Sequence, residues 1–133
     1  MVNLIAIVGA AVASMVLGFV WYGPLFGKMW MALSGFKPSD MEKTKTKAQK
    51  GYMAMAVTSL VTAAVLSMLL TASASMTLAA GLMTGFWAWL GFIATVSLGS
   101  VLWENKPVKL YLLNNGFNLL NLLVMAAILT AFP

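Results

Sequence analysis

The chain of 133 residues is far more apolar than a water-soluble domain: 62% of its residues are hydrophobic, 8% are charged, and the formal net charge is +5. Soluble domains carry about 25% charged residues, so this composition excludes a soluble globular fold and predicts an integral membrane protein. Because one membrane-crossing helix needs about 20 apolar residues, the length holds about four or five crossings and leaves no room for a separate soluble domain.

Four apolar stretches predict an all-α fold with four transmembrane helices in a single domain covering residues 1–133. We expect the spans over residues 2–22, 52–72, 76–103 and 110–132. Their apolar residues form continuous runs, unlike the short alternating segments of a transmembrane β-barrel. No Lys or Arg precedes the first run and it continues past the small residues at 11–14, so we expect the first span to be retained and not cleaved as a signal peptide.

The segment after the first span, residues 23–51, is predicted to lie at the cytoplasmic interface. The aromatic pair Trp21 and Tyr22 is typical of a membrane interface, and Gly23 and Pro24 are expected to end the helix there. Apolar residues then recur at helical spacing, at Phe26, Met29, Trp30 and Leu33. This spacing predicts a short amphipathic helix lying in the interface. The favoured interpretation is an anchor for the first span, and a partner groove or a gate is the alternative.

All eight lysines fall between the first and second spans or between the third and fourth, where Lys106 and Lys109 lie. The loop at residues 71–75 carries no charge. Because Lys is biased toward the cytoplasm, both termini and the uncharged loop are predicted to be extracytoplasmic. Lysines at the membrane surface are expected to meet anionic lipid headgroups, at about 1 kcal/mol each, and nucleic acid is not an expected partner.

Small residues recur every four positions along the first three spans, a pattern that lets helix backbones approach closely. These residues are Ala6, Ala10, Ser14 and Gly18; Ser59, Ala63, Ser67 and Thr71; and Gly91, Thr95 and Gly99, with Gly81 and Gly85 as a further pair. So many small or polar faces exceed what one short bundle needs. We therefore expect a homo-oligomer, from a dimer to a tetramer.

The last span carries four asparagines in an otherwise apolar run. Three of them share one helix face with Tyr111, namely Asn114, Asn118 and Asn121, whereas Asn115 is offset by about 100°. Lipid cannot satisfy amide groups, so this face should look into the bundle, toward another subunit, or into a wet cavity. Hydrogen bonding between helices is the favoured interpretation, and the polar wall of a permeation or ligand site is the alternative. We expect Asn114 and Asn115 to be hydrated, being near the cytoplasmic end.

Glu104 is the only acidic residue near a span, and it lies with Lys106 in the tight turn before the last helix. An ion pair with Lys106 or Lys109 is the favoured interpretation, and a cytoplasmic mouth that attracts cations is the alternative. His and Cys are absent, and the spans hold no paired carboxylates. We therefore expect no enzymatic activity, no metal site and no cofactor.

Two stretches, at residues 3–33 and 102–129, resemble the small bacterial membrane proteins grouped as domain of unknown function 1761. The matching residues are Asn3, Gly18, Trp21, Tyr22, Phe26, Gly27, Lys28 and Trp30, followed by Asn115, Gly116 and Phe117. In the family a His often follows the last aromatic, and here Asn118 stands at that position. The resemblance implies a four-helix domain in the bacterial cytoplasmic (inner) membrane and supplies no established activity.

Two functions remain open from the sequence. The first is a small self-assembling channel or transporter for ions or small solutes, with the asparagine face lining the path. The second is a non-transporting accessory or scaffold subunit of a membrane complex, which binds lipid or partner helices and buries the same face.

Overall fold

The computed structural model describes residues 3–34, 41–74 and 77–132, which contain helices and no strand. The helices of these ranges are α1 (Leu4–Leu25), α2 (Gly27–Ser34), α3 (Met41–Ala72), α4 (Leu78–Leu102) and α5 (Val108–Ala131). Four segments are long and apolar enough to cross a membrane: α1, Met53–Ala72 of α3, α4 and α5. The predicted all-helical fold with four spans is therefore confirmed, and residues 35–40 of the predicted interfacial segment lie outside the described residues.

The last helix, α5, occupies the centre of the bundle. It packs along α1 on one side and along α4 on the other, and it also contacts α2 and α3. Helix α1 packs closely on α3, whereas α3 and α4 barely meet. The buried core accordingly combines side chains of α1, α3 and α5, among them Ala10, Ala63 and Met125. A gap between α3 and α4 follows from this arrangement.

The small-residue faces of α1 and α3 are mostly in the core, as expected. The buried members are Ala6, Ala10, Ser14 and Gly18 on α1, and Ser59, Ala63 and Ser67 on α3. On α4 the two candidate faces differ. A Cβ added to Gly81 would lie 2.5 Å from Cγ2 of Thr130 on α5, whereas one added to Gly91 would meet no atom within 4 Å. The pair Gly81 and Gly85 is therefore the face that packs on α5.

The first helix does not end at Gly23 and Pro24, which corrects the sequence prediction. A π-helical turn at Trp21–Leu25 extends α1, closed by the Phe26 N–H donating to the Trp21 carbonyl over 2.9 Å. Proline has no N–H for a normal α-helical bond, and the wider turn contains its ring without ending the helix. The chain then turns at Phe26 into α2. A Cβ at Gly27 would lie 2.7 Å from the Tyr22 carbonyl oxygen, so glycine alone fits at the start of α2.

Helix α2 is present where the amphipathic spacing predicted a helix, and it contacts α5. Phe26, Trp30 and Leu33 are half-buried, but Met29 is 50% exposed, so the face assigned from spacing is only partly covered. Its position in the membrane interface stays a prediction.

The two ends of the bundle differ in chemistry. At one end, which we call the basic end, lie Lys28 and the loop 103–107 that carries Lys106. At the other end, the Asn3 side chain caps α1 and donates from Nδ2 to the Phe132 carbonyl over 3.0 Å. Both ends of the described chain therefore lie together, opposite the basic end.

Candidate functional site

Asn115 is the most deeply buried of the four asparagines of α5, with 4% of its surface exposed. Its Oδ1 accepts from the Ser97 hydroxyl of α4 over 2.8 Å, and its Nδ2 donates to the Tyr111 carbonyl over 2.9 Å. The backbone carbonyl of the same residue accepts from Nε1 of Trp89 over 2.9 Å. The expectation that Asn115 is hydrated is therefore wrong, because this residue joins α5 to α4.

Asn114 joins α5 to α1 in the same way. Its Oδ1 accepts from the Tyr22 hydroxyl over 2.8 Å, and the residue is half-buried. The Tyr22 ring also packs edge-on against Phe117 at a centroid distance of 5.2 Å and against Trp30 of α2 at 6.2 Å. Oδ1 of Asn114 is thus bound by Tyr22, whereas its Nδ2 makes no hydrogen bond within the described residues.

Tyr111 binds the irregular part of α4. This helix contains a π-helical turn at Leu90–Ala94, and the residues after that turn form two short helical segments separated at Leu98. The Tyr111 hydroxyl donates to the Ala94 carbonyl over 2.6 Å, which is shorter than the 3.2 Å bond from the Leu98 N–H. Single π turns are frequent at functional sites. Here the π turn is tied to the asparagine-bearing helix.

A polar cleft of about 270 Å³ lies between the C-terminal end of α4 and the first three turns of α5. We call it the polar cleft; its lining residues are Ser97, Ser100, Lys106, Leu110, Tyr111, Asn114, Asn115 and Asn118. The structure therefore brings together four residues singled out from the sequence, Tyr111, Asn114, Asn118 and Lys106. The serines and Asn115 were missed as site residues. The spacing of Ser97 and Ser100, three residues apart on α4, was the available signal.

The polar cleft is electrostatically one-sided. Lys106 supplies the only charged side chain among the residues that line it. Glu104 is exposed and outside the lining, and no ion pair with Lys106 or Lys109 is recorded in the described part of the chain. Two features of the turn fix the position of Lys106. Asn105 has a φ of 57°, a left-handed conformation that Asn tolerates, and the Lys106 N–H donates to the Ser100 carbonyl over 3.0 Å.

Asn121, predicted to share the polar face, does not line the cleft. Its Oδ1 is buried and has no hydrogen-bond partner. In a low-dielectric interior such an amide oxygen is costly to leave unpaired. Asn118 and Asn121 share a predicted face, but the structure puts them in different surroundings: Asn118 lines the cleft, whereas Oδ1 of Asn121 is buried outside it.

The aromatic residues of the first motif form a cluster that faces the bundle. The Trp21 ring lies 4.7 Å from the Phe26 ring and 6.1 Å from the Phe117 ring, centroid to centroid. A Cβ at Gly116 would lie 3.5 Å from Cζ2 of Trp21, an ordinary contact distance, so α5 passes directly beside the indole. Lys28 is exposed. The cluster explains the residues of the motif by packing among α1, α2 and α5, and membrane anchoring stays a prediction.

The family can now be assigned. A family model described as Protein of unknown function (DUF1761) matches residues 5–130, nearly the whole chain. The chain belongs to the DUF1761 family. No curated protein and no solved structure gives a significant match. Because the family's description assigns no activity, a function for this DUF1761 protein has to be argued from the polar cleft.

The chemistry available in the polar cleft is hydrogen bonding together with one positive charge. Asn amides and hydroxyls donate and accept, and the Lys ammonium donates three hydrogen bonds. The residues in the described ranges hold no cluster of three or more His, Cys, Asp or Glu side chains that could bind a metal ion. The arrangement is suited to holding a polar group.

Proposed function

We propose that the protein is a membrane-embedded binding protein whose polar cleft receives the polar head of a ligand from the basic end, without a catalytic step. The observation that carries this proposal is that some cleft side chains are hydrogen-bonded within the protein, whereas others in the same cleft are not. Asn115, Ser97 and Tyr111 are held by bonds between or within helices. Asn118, Ser100 and Lys106 line the same space, and their side chains have no recorded partner among the described residues. A fixed wall and unengaged donors together favour ligand binding.

A transport path through one protomer is less well supported. Beyond the cleft, α4 and α5 close on each other: a Cβ at Gly85 would lie 3.4 Å from the Leu122 carbonyl oxygen, and Gly81 is closer still to Thr130. A channel or transporter for ions or small solutes would therefore need a path between copies. This packing favours the non-transporting function, in which the protein binds a ligand and serves as an accessory or scaffold subunit.

We also propose how the protein sits in the membrane. It lies in the bacterial cytoplasmic membrane with the basic end inside and both termini outside, which is supported by the lysine distribution and by the bond between Asn3 and Phe132. It assembles as a homo-oligomer. The support for assembly is that α4 is the least buried of the four spans and that Gly91 and Thr95 remain exposed along it.

Cysteine accessibility tests the proposed function directly, since the natural chain contains no Cys. Asn118→Cys and its matched control Asn121→Cys are reconstituted in nanodiscs and treated with a small, charged, membrane-impermeant thiol reagent. We expect rapid labelling at position 118, which lines the polar cleft, and little at position 121, where Oδ1 of the natural side chain is buried outside the cleft. Equal labelling rates for the two variants would contradict the proposal.

The same variants in sealed vesicles show from which face of the membrane the polar cleft can be reached. Labelling of Asn118→Cys from one face of the membrane only is the result expected for a binding cleft. Labelling from both faces at similar rates would instead support a transport path and overturn the non-transporting function.

A further inference from the structure

We propose that the ligand is an anionic phospholipid, with its phosphate in the polar cleft and one acyl chain in an apolar groove between α3 and α4. This inference rests on the proposed function and adds the chemical class of the ligand. It starts from a second cavity, of about 450 Å³, which we call the apolar groove. Its lining comes from α3 and α4, where these helices diverge, and from Leu122 of α5.

The apolar groove offers almost no polar surface. Val65 and Leu69 of α3 face Phe92 and Ile93 of α4 across it. The one hydroxyl in the lining, that of Thr62, is already engaged, since it donates to the Thr58 carbonyl over 2.8 Å. Phe92 is 77% exposed, so the groove is accessible from the side of the bundle. A hydrocarbon chain fits these surfaces, and a polar solute does not.

The groove, between α3 and α4, and the cleft, between α4 and α5, are adjacent because α4 and α5 contribute residues to both. On α5, Leu122 of the groove lies one turn beyond Asn118 of the cleft, a rise of about 6 Å. On α4, Ile93 of the groove lies one turn from Ser97 of the cleft. Oγ of Ser97 is 2.6 Å from the Ile93 carbonyl oxygen and 2.8 Å from Oδ1 of Asn115, so its single hydrogen is shared between these two acceptors. A polar site at the basic end thus leads, within one helical turn, to an apolar site deeper in the bundle. An amphiphile has this same order of chemistry along its length.

Charge complementarity indicates which class of lipid headgroup the cleft would bind. Phosphate oxygens only accept hydrogen bonds, and they match the ammonium of Lys106 and the amide of Asn118. The cleft lining contains no carboxylate, so the amine of a zwitterionic headgroup would find no counter-ion there. Basic pockets between transmembrane helices are suited to anionic headgroups. The cleft should therefore select an anionic lipid such as phosphatidylglycerol over phosphatidylcholine.

Lipid binding to the full chain in nanodiscs tests this inference, with phosphatidylglycerol and phosphatidylcholine as probes and native mass spectrometry to count retained lipid. We expect preferential retention of phosphatidylglycerol. Lys106→Gln should weaken that retention about fivefold, the equivalent of about 1 kcal/mol per Lys near an anionic surface. Lys109→Gln is the matched control, since Lys109 is only three residues from Lys106, in the first turn of α5, but outside the cleft lining, and it should retain the lipid as the natural chain does. Equal effects of the two changes would overturn the inference.

The groove requires its own variant. Ala88 lines it, and Ala88→Trp should fill it and reduce phosphatidylglycerol retention, whereas Val57→Trp, on an exposed position of α3 outside the groove lining, should not. Loss of an oligomer in Ala88→Trp without loss of lipid would identify the groove as a contact between copies and overturn the inference.

Protection of Asn118→Cys separates this inference from the proposed function. Phosphatidylglycerol should slow thiol labelling at that position, and soluble glycerol phosphate should not, because it cannot use the groove. If labelling is fast but both probes have the same effect, the cleft binds polar groups and the lipid assignment falls. If position 118 is not labelled at all, the proposed function falls with it.

Discussion

The hydrogen bond between Ser97 and Asn115 offers a quantitative test of how α4 and α5 are joined. Its two atoms are 2.8 Å apart and Asn115 is 4% exposed. Side-chain hydrogen bonds between transmembrane helices contribute about 0.6 kcal/mol on average and about 1.7 kcal/mol at most. Asn115 makes a further bond to the Tyr111 carbonyl, but this bond is within α5 and does not couple the helices.

A double-mutant cycle isolates that interhelical bond. Ser97→Ala, Asn115→Ala and the double variant are unfolded reversibly by SDS titration in mixed micelles, and the free energy of unfolding is compared. We expect a coupling energy of about 0.6 to 1.7 kcal/mol. The cavity left by each truncation cancels in the cycle to first order. A coupling energy of zero within the error of the titration would refute the assigned role of Asn115.

The contrast with Asn121 sharpens this test. Asn121 has a buried Oδ1 without a partner, and an unpaired buried polar group costs about 1–3 kcal/mol. Asn121→Leu should therefore preserve or raise stability, whereas Asn115→Leu should lower it. If both changes destabilise the protein equally, Oδ1 of Asn121 is not an unpaired buried acceptor.

Four further predictions concern two packed glycines, the topology and the assembly. Gly81→Ala should destabilise the protein by about 1–3 kcal/mol through its clash with Thr130, and adding Thr130→Ser, which removes Cγ2 but keeps the hydroxyl, should recover most of the loss in an unfolding titration. Gly9→Ala, at a position with no neighbour within 4 Å, is the control and should not destabilise. Gly27→Ala should also lower stability, because its Cβ would meet a backbone carbonyl that cannot rotate away. A reporter that is active only outside the cytoplasm should be active when fused to the C-terminus, and activity of a cytoplasmic reporter there would reject the predicted topology. Native mass spectrometry in nanodiscs should detect oligomers, and monomers alone would reject the predicted assembly.

Much of the fold could be predicted from the sequence, because crossing a membrane constrains a chain locally. Hydrocarbon cannot satisfy backbone groups, so each long apolar run must form its own helix. The predicted boundaries differ from the observed spans by at most about three residues, as at Leu4–Leu25 against residues 2–22. Small residues at four-residue spacing also located the packed face of α1. The same rule could not distinguish the two candidate faces of α4, where Gly81 is packed and Gly91 is open.

The π turns and the close approach of Gly27 to the Tyr22 carbonyl could not be predicted from local sequence patterns. Proline ordinarily ends a helix, yet Pro24 lies inside a π turn because the Trp21 carbonyl bonds to the Phe26 N–H. Whether a chain stops or widens at proline depends on what packs beside it. Here the aromatic rings of Trp21, Phe26 and Phe117 lie against the turn.

By itself the sequence determined that the protein has four helices long and apolar enough to cross a membrane, that its lysines fall in two of the three segments between them, and that Tyr111, Asn114 and Asn118 lie on one side of α5. Only the tertiary structure decided which asparagine is buried and which faces the cleft. Helical spacing specifies the angle between two side chains, but it does not say where the neighbouring helix stands. That position is set by contacts distant in the chain, such as Gly81 against Thr130 and Trp89 against the Asn115 carbonyl.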